Sequence, residues 1–266
     1  MPEVTGATRI FAIVADPVAH VKTPEVINAL LSKAGYDGIL VPLHTAPANL
    51  AAAFDAFRGF RNFGGCIVTV PHKGSALSLC DEVSPLARRV GAVNCVRRET
   101  DGRLVGTMLD GTGFVDGLRA QGTDPAGRSV YLAGAGGAAS AIAFALCEAG
   151  VGRLIIANRS AGKRDELVAR LREHYPASSV TGEGQVAEAD IVVNGTSLGL
   201  RPDDPSPIND ADLTAGQIVA EVIMEPALTP LLLAAQGKGC RIHRGRHMLE
   251  AQAAAMVAHM TSGTGR

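Results

Sequence analysis

Val130-Tyr131-Leu132-Ala133-Gly134-Ala135-Gly136-Gly137-Ala138-Ala139 and Leu154-Ile155-Ile156-Ala157-Asn158-Arg159-Ser160 are the stretches that decide the fold of this chain. The first reads as an apolar strand running into a glycine turn and then a helix, the second as another apolar strand. Gly134-x-Gly136-x-x-Ala139 fits the pattern G-x-G-x-x-G/A. The first glycine permits the tight turn. The second lets backbone N–H groups approach a pyrophosphate at the helix N-terminus, and Ala139 lets helix and strand pack closely. On this reading Gly134, Ala135, Gly136, Gly137 and Ala138 cradle the phosphates. Gly makes up 31 of the 266 residues, so the pattern alone also suits a close-packed turn that holds no ligand. The context it needs is a strand–helix–strand unit, and Ser129–Leu132, Ala138–Ala149 and Arg153–Ala157 supply one.

At the end of the second strand, a site for NAD commonly offers an acid to the ribose hydroxyls. This chain offers Asn158 and Arg159. A carboxylate there would repel a 2′-phosphate, whereas an arginine pairs with it bidentately. Ser160 adds a hydroxyl and Lys163 a positive charge one turn on, although a solvated basic helix start would read the same way. The expected cofactor is NADP.

The bulk numbers narrow the class. A chain of 266 residues suits one large or two modest domains with ample core. With 47% hydrophobic residues and a formal net charge of −1, nothing calls for nucleic acid or an anionic membrane as partner. Aromatic residues are only 4%, and the abundant Gly and Ala suit close helix–sheet packing. The 5 cysteines, Cys66, Cys80, Cys95, Cys147 and Cys240, form no CxxC pair, which suggests reduced thiols. Met1-Pro2-Glu3 lacks the start of a secretory leader. No apolar run reaches the roughly 18 residues of a membrane span. A cytoplasmic location is expected, and no metal-ligand constellation is evident.

The expected fold class is α/β, an N-terminal α/β domain, which the family resemblance given below makes the substrate domain, plus a Rossmann doubly wound dinucleotide-binding domain. Strands are expected at Ile10–Val14, Gly38–Leu43, Cys66–Val70 and Val93–Arg97. Helices are expected from Thr23-Pro24, with Thr23 as N-cap, and over Leu50–Phe60 and Val83–Val90. A helix from Gly111 precedes the glycine unit. Lys163–His174, a strand at Ile191–Asn194, a strand at Ile218–Ile223, a helix near Thr229–Gly237 and a last helix over Met248–Met260 follow. Arg201–Pro207 reads as a loop. The boundaries drawn are 1–109 for the first domain and 110–238 for the dinucleotide domain, with 239–266 packing back on the first.

Pro17-Val18-Ala19-His20-Val21-Lys22-Thr23-Pro24, Val68-Thr69-Val70-Pro71-His72-Lys73 and Gly91-Ala92-Val93-Asn94 carry a further signal. So do Asp110-Gly111, Asn194-Gly195-Thr196-Ser197, Thr229-Pro230-Leu231-Leu232 and Gly245-Arg246-His247-Met248-Leu249-Glu250-Ala251-Gln252. Together, and in this order, they resemble the shikimate dehydrogenase family over about the whole chain. The resemblance implies an NADP-dependent oxidoreductase interconverting 3-dehydroshikimate and shikimate, or quinate in some relatives, with a Lys–Asp acid/base pair. Lys73 and Asp110 match that pair. A lysine beside a carboxylate can give the proton that a developing alkoxide needs. Without the resemblance Lys73 also reads as a surface lysine and Asp110 as a helix cap. Asn94 and Thr69 match residues that meet ring hydroxyls, and Thr196 and Gly245 match positions beside the dinucleotide. Gln252 has its own argument: a polar amide on an apolar helix face needs a partner, either substrate or a buried backbone group.

The pattern breaks at the substrate carboxylate. Val21-Lys22-Thr23 stands where the family usually has Ser-x-Ser, and Met224 stands where it has a tyrosine. Met108-Leu109-Asp110 replaces the usual Asn-Thr-Asp. Thr23 can still donate, while Val21 and Met224 have lost the hydroxyl. A lost hydrogen bond to a charged group is worth roughly 1.5–3 kcal/mol, so losing both weakens binding of the acid by about two to four orders of magnitude unless neighbours compensate. The expected partner is shikimate or a related small cyclic hydroxy acid, with quinate as the alternative. A non-catalytic NADP-binding regulator is the competing class, against which the survival of Lys73 and Asp110 argues. Oligomeric state is not legible.

Overall fold

The computed structural model describes residues 3–201 and 203–263. The reading of Met1 and Pro2, Pro202 within the loop Arg201–Pro207, and the last three residues of 239–266 lie outside them. The chain divides into two compact units, one of residues 1–109 with 252–266 and one of 110–251.

In the first unit, β1 (Arg9–Ala15), α1 (Thr23–Lys33), β2 (Gly38–His44), α2 (Leu50–Gly59) and β3 (Phe63–Val68) are followed by α3 (Lys73–Leu79). β4 (Glu82–Val83), α4 (Pro85–Val90), β5 (Cys95–Arg98) and β6 (Leu104–Thr107) complete it. The sheet order is β2-β1-β3-β5-β6-β4. β1 is parallel to β2 and β3, whereas β5 runs antiparallel to both β3 and β6. β1 is buried over its last five residues and β3 throughout, as continuous apolar strands covered on both faces should be. Ile27 and Leu31, one turn apart on α1, enter a core with Phe11, Ile13, Leu40 and Ile67.

Local chemistry accounts for several shifts from the expected elements. Lys22 rather than Thr23 occupies the N-cap position of α1, without a side-chain cap, and Thr23 opens the helix. The expected helix Val83–Val90 is a short strand and then α4, because the Ser84 hydroxyl accepts from Ala87 N at 3.1 Å and Pro85 sits in the first turn. α3 was not expected, since Gly74 lowers its helical propensity.

In the second unit, α5 (Asp110–Ala120) leads to β7 (Ser129–Ala133), α6 (Gly137–Glu148), β8 (Arg153–Ala157), α7 (Ala161–His174) and β9 (Ser179–Thr181). β10 (Ile191–Asn194), β11 (Ile218–Glu221), α8 (Pro230–Gly237), β12 (Arg241–His243) and α9 (Gly245–Ser262) follow. The sheet is parallel throughout, in the order β12-β11-β10-β7-β8-β9. This is the doubly wound arrangement expected. β12 was missed, and its pairing with β11 carries residues 239–251 into the second unit, past the boundary drawn at 238. The later turns of α9 belong to the first unit, where Ala253, Met256 and Met260 join its core. Among the described residues no helix is long and apolar enough to cross a membrane.

Candidate functional site

The second unit offers a crevice by topology. From β7 the chain steps one way to β8 and β9 and then the other way to β10, β11 and β12, so the order reverses between β7 and β10. Ligands of open parallel sheets sit at such a switch point, outside the carboxyl ends of the strands. The glycine turn lies there. Gly134 adopts φ +119°, and a Cβ on it would lie 3.1 Å from the Gly195 carbonyl and from Thr196 Cγ2, so this position takes glycine on two counts. Gly136 precedes the first turn of α6, and a Cβ there would meet nothing within 4 Å. Gly137 and Ala138 follow, half-buried, with Ala135 on the turn before them. The first N–H groups of a helix have no partner within it, so α6 presents donors and a positive dipole end to open space. Ala139 is fully buried against Gly195, where an added Cβ would come to 2.9 Å of its own. A cradle of this shape fits a dinucleotide pyrophosphate.

The end of β8 supplies the charge. Arg159, Ser160 and Lys163 are exposed, and the first turn of α7 holds no acid. Asn158 is half-buried and donates from Nδ2 to Ser160 O at 3.0 Å, which curls the strand end into the helix. Arg164 is paired with Asp165 at 2.8 Å and lies across Gly182. The strand end is therefore suited to a phosphorylated ribose.

At the end of β10, Asn194 Oδ1 accepts from Thr196 N at 3.0 Å and from Thr196 Oγ1 at 2.7 Å. Its Nδ2 donates to Leu198 O and to both oxygens of Glu221, which is fully buried. Sequence reasoning missed Glu221, although an acid inside the apolar run Ile218–Ile223 was a signal for it. Gly245 opens α9, and a Cβ on it would collide with the backbone of Val222 and Ile223. Its place in this structure is explained by close packing. Met224 is half-buried in the loop after β11, and Asp110 opens α5 with 2% exposure.

The first unit gathers the other polar residues. Thr69 ends the stretch after β3, and its carbonyl accepts from His72 N at 2.8 Å. Lys73, half-buried, opens α3, and its carbonyl accepts from Val93 N at 2.9 Å. Asn94 precedes β5. Its Oδ1 accepts from Leu109 N at 2.8 Å, and its Nδ2 donates to Gln252 Oε1 at 3.3 Å across 158 residues of sequence. Asn94 and Gln252 are both buried. Thr23 is buried at the head of α1, while Val21 and Leu109 pack on the apolar cluster that holds Ala253 and Met256. His44 Nε2 meets Asp16 Oδ1 at 2.7 Å, a pair not expected from sequence. His72 Nε2 lies 2.7 Å from Thr45 O, and the His247 ring lies 4.9 Å from that of His243 at a tilt of 44°.

A parallel doubly wound unit joined in one chain to a mixed α/β unit defines a two-domain α/β class. Residues 13–96 match the model of the shikimate dehydrogenase substrate binding domain, and 119–200 that of shikimate / quinate 5-dehydrogenase. A shikimate dehydrogenase (NADP+) of Rubrobacter xylanophilus is 38% identical over 94% of this chain and 89% of its own. The crystal structure of shikimate 5-dehydrogenase from Thermus thermophilus, in complex with NADP(H) and shikimate, superposes with a TM-score of 0.83 at 32% identity, covering 97% of this chain and 94% of that one. The 5-ketofructose reductase of a Gluconobacter strain, solved ligand-free, gives a TM-score of 0.79 at 30% identity, with 96% and 97% covered. The chain belongs to the shikimate dehydrogenase family.

Proposed function

We propose that this protein is an NADP-dependent dehydrogenase that interconverts shikimate and 3-dehydroshikimate or a closely related cyclic hydroxy acid. The observation that carries the reading is the glycine cradle at the switch point of the second sheet, with Arg159 rather than an acid at the end of the neighbouring strand. Gly134 to Ala138 would hold the pyrophosphate, Asn158, Arg159, Ser160 and Lys163 the phosphorylated ribose, and Thr196 and Gly245 the remainder. When bound, the cofactor supplies or accepts a hydride. The chain itself must manage one proton. In the reductive direction the Lys73 ammonium gives its proton to the ketone oxygen as the hydride reaches the carbon, the neutral amine regains a proton from water, and the Asp110 carboxylate favours the charged ammonium. Asn94, Gln252 and Thr69 orient ring hydroxyls, and Thr23 meets the acid group.

The packing of Val21 and Leu109 into the apolar core favours a second reading, in which the preferred substrate leans less on a carboxylate than shikimate does. Reduction of NADP+ followed at 340 nm with shikimate and with quinate, each repeated with NAD+ and with Lys73→Ala, tests both. Fast turnover of shikimate that depends on Lys73 and on NADP+ supports the first reading. Slow turnover by a folded, NADP-binding protein supports the second, and turnover unaffected by Lys73→Ala refutes the acid/base assignment.

A further inference from the structure

The carboxyl edge of the second sheet holds a carboxylate that the reading above does not use. Ala133, Asn194 and Glu221 stand level across β7, β10 and β11, so Glu221 ends a strand two places from the glycine turn. Its side chain has 0% exposure. Burying a carboxylate is costly unless its oxygens are met by donors. Here its partners all donate: Asn194 Nδ2 at 3.0 and 3.1 Å, Thr229 Oγ1 at 2.8 Å, and the N–H groups of Val222 and Ile223. A protonated carboxyl would aim its own O–H at one of these donors, so the arrangement suits the ionised form.

Asn194 transmits that preference. Because its Nδ2 serves Glu221 and Leu198 O, its Oδ1 faces Thr196 and accepts from both the N–H and the hydroxyl. The Thr196 hydroxyl in turn accepts from Leu198 N at 3.0 Å. The Gly195–Thr196 backbone held this way is the wall that a Cβ on Gly134 would strike.

We propose that Glu221 is a positioning residue for the dinucleotide: ionised, it fixes the Asn194 amide and, through it, the Thr196 turn that walls the glycine cradle. The proposal rests on the dinucleotide reading of the second unit. Loss of the charge leaves Asn194 Nδ2 with one neutral carbonyl oxygen in place of two carboxylate oxygens, a weaker acceptor that holds the amide, and with it the Thr196 turn, less firmly.

The surroundings leave this charge to its donors. β10 and α8 carry no charged side chain. On β12, Arg241 is exposed at the far end, and His243, opposite Ala220, is held by burial at about 4 and so stays neutral near pH 7. Glu225, Arg244 and Arg246, in the loop after β11 and around the head of α9, are exposed, and His247 is half-buried. Burial pushes the Glu221 carboxyl up to about 7 in spite of the donors. Cofactor affinity should therefore fall as pH drops through neutrality.

The test is the dissociation constant of NADP+ for the full-length protein, without substrate, by calorimetry from pH 5.5 to 8.5. Wild type should bind about tenfold more weakly at pH 6 than at pH 8. Glu221→Gln should bind about tenfold more weakly at pH 8 and lose most of the pH dependence, leaving the part due to the cofactor's own 2′-phosphate. Its kcat should change less than about twofold, with the loss in KM for NADP+. Thr229→Val, which removes one donor from the carboxylate, should move the midpoint of the wild-type profile upward, and it decides the matter if Glu221→Gln does not fold. Superimposable pH profiles for wild type and Glu221→Gln, or an unmoved midpoint in Thr229→Val, overturn the proposal. Failure of the wild type to bind NADP+ at any pH refutes the dinucleotide reading itself, and this inference with it.

Discussion

Asn94 in the first unit and Asn194 in the second both stand at the end of an interior strand, both are buried, and both split their amide between backbone and side chain. Their partners differ. Asn94 shares a bond of 3.3 Å with another neutral amide, Gln252, whereas Asn194 donates at 3.0 Å to a buried carboxylate. Hydrogen bonds to charged groups are roughly twice as strong as neutral ones. The bond between neutral amides is the weaker of the two, and the charge-assisted one holds the Thr196 turn. On the function proposed above, a unit that accepts a substrate and a unit that presents a fixed cradle use the same side chain in these two ways.

The largest effect expected is at Lys73. If the proton chemistry resides there, Lys73→Ala lowers kcat by about 10³-fold and leaves NADP+ affinity unchanged. A matching loss of cofactor affinity, measured by calorimetry, would break the division of labour between the two units.

The next concerns buried charge and stability. Burial lowers His243 from 6.5 to about 4, so the stability it contributes is present above pH 6.5 and is lost as pH falls toward 4, up to about 3 kcal/mol. Glu221 is raised from 4.5 to about 7, so its contribution is present below pH 4.5 and is lost as pH rises through 7, again up to about 3 kcal/mol. The slopes oppose each other between the two unfolded-state values. Urea unfolding of the wild type should vary little from these two groups across that window. His243→Leu should unmask a decline in stability as pH rises. A profile that stays flat in the variant would mean that Glu221 is not the counterweight.

Smaller effects sharpen the ligand assignments. Arg159→Ala should raise KM for NADP+ about 30-fold and that for NAD+ less than twofold, the difference being one charge-assisted phosphate contact. Equal changes would remove the 2′-phosphate from that strand end. Val21→Ser should lower KM for shikimate about tenfold by restoring one donor to the acid group. No change would place the carboxylate elsewhere.

Much of the fold was legible because its signals are local. The glycine turn, the apolar strands on either side of it and the order of the motifs identify the second unit and the family. What was misread was short or depended on context. The strand Arg241–His243 has no periodicity to find, and only its partner β11 makes it a strand. The helix from Lys73 is seven residues with a glycine in its first turn. The family resemblance marked Gly245 as a cofactor position, and the packing of α9 against Val222 and Ile223 gives a reason for that glycine which no motif could express.

The sequence by itself determined the class of fold, the glycine turn, the basic strand end and the apolar character of Val21 and Met224, because each is a property of neighbouring residues or of residue type. Only the tertiary structure decided that Asn94 meets Gln252, that Val21 and Leu109 enter one apolar cluster, and that Glu221 is buried behind Asn194 and Thr229. These pairings join residues far apart in the chain. They are set by strand order and register, and a linear pattern does not encode which strand ends become neighbours.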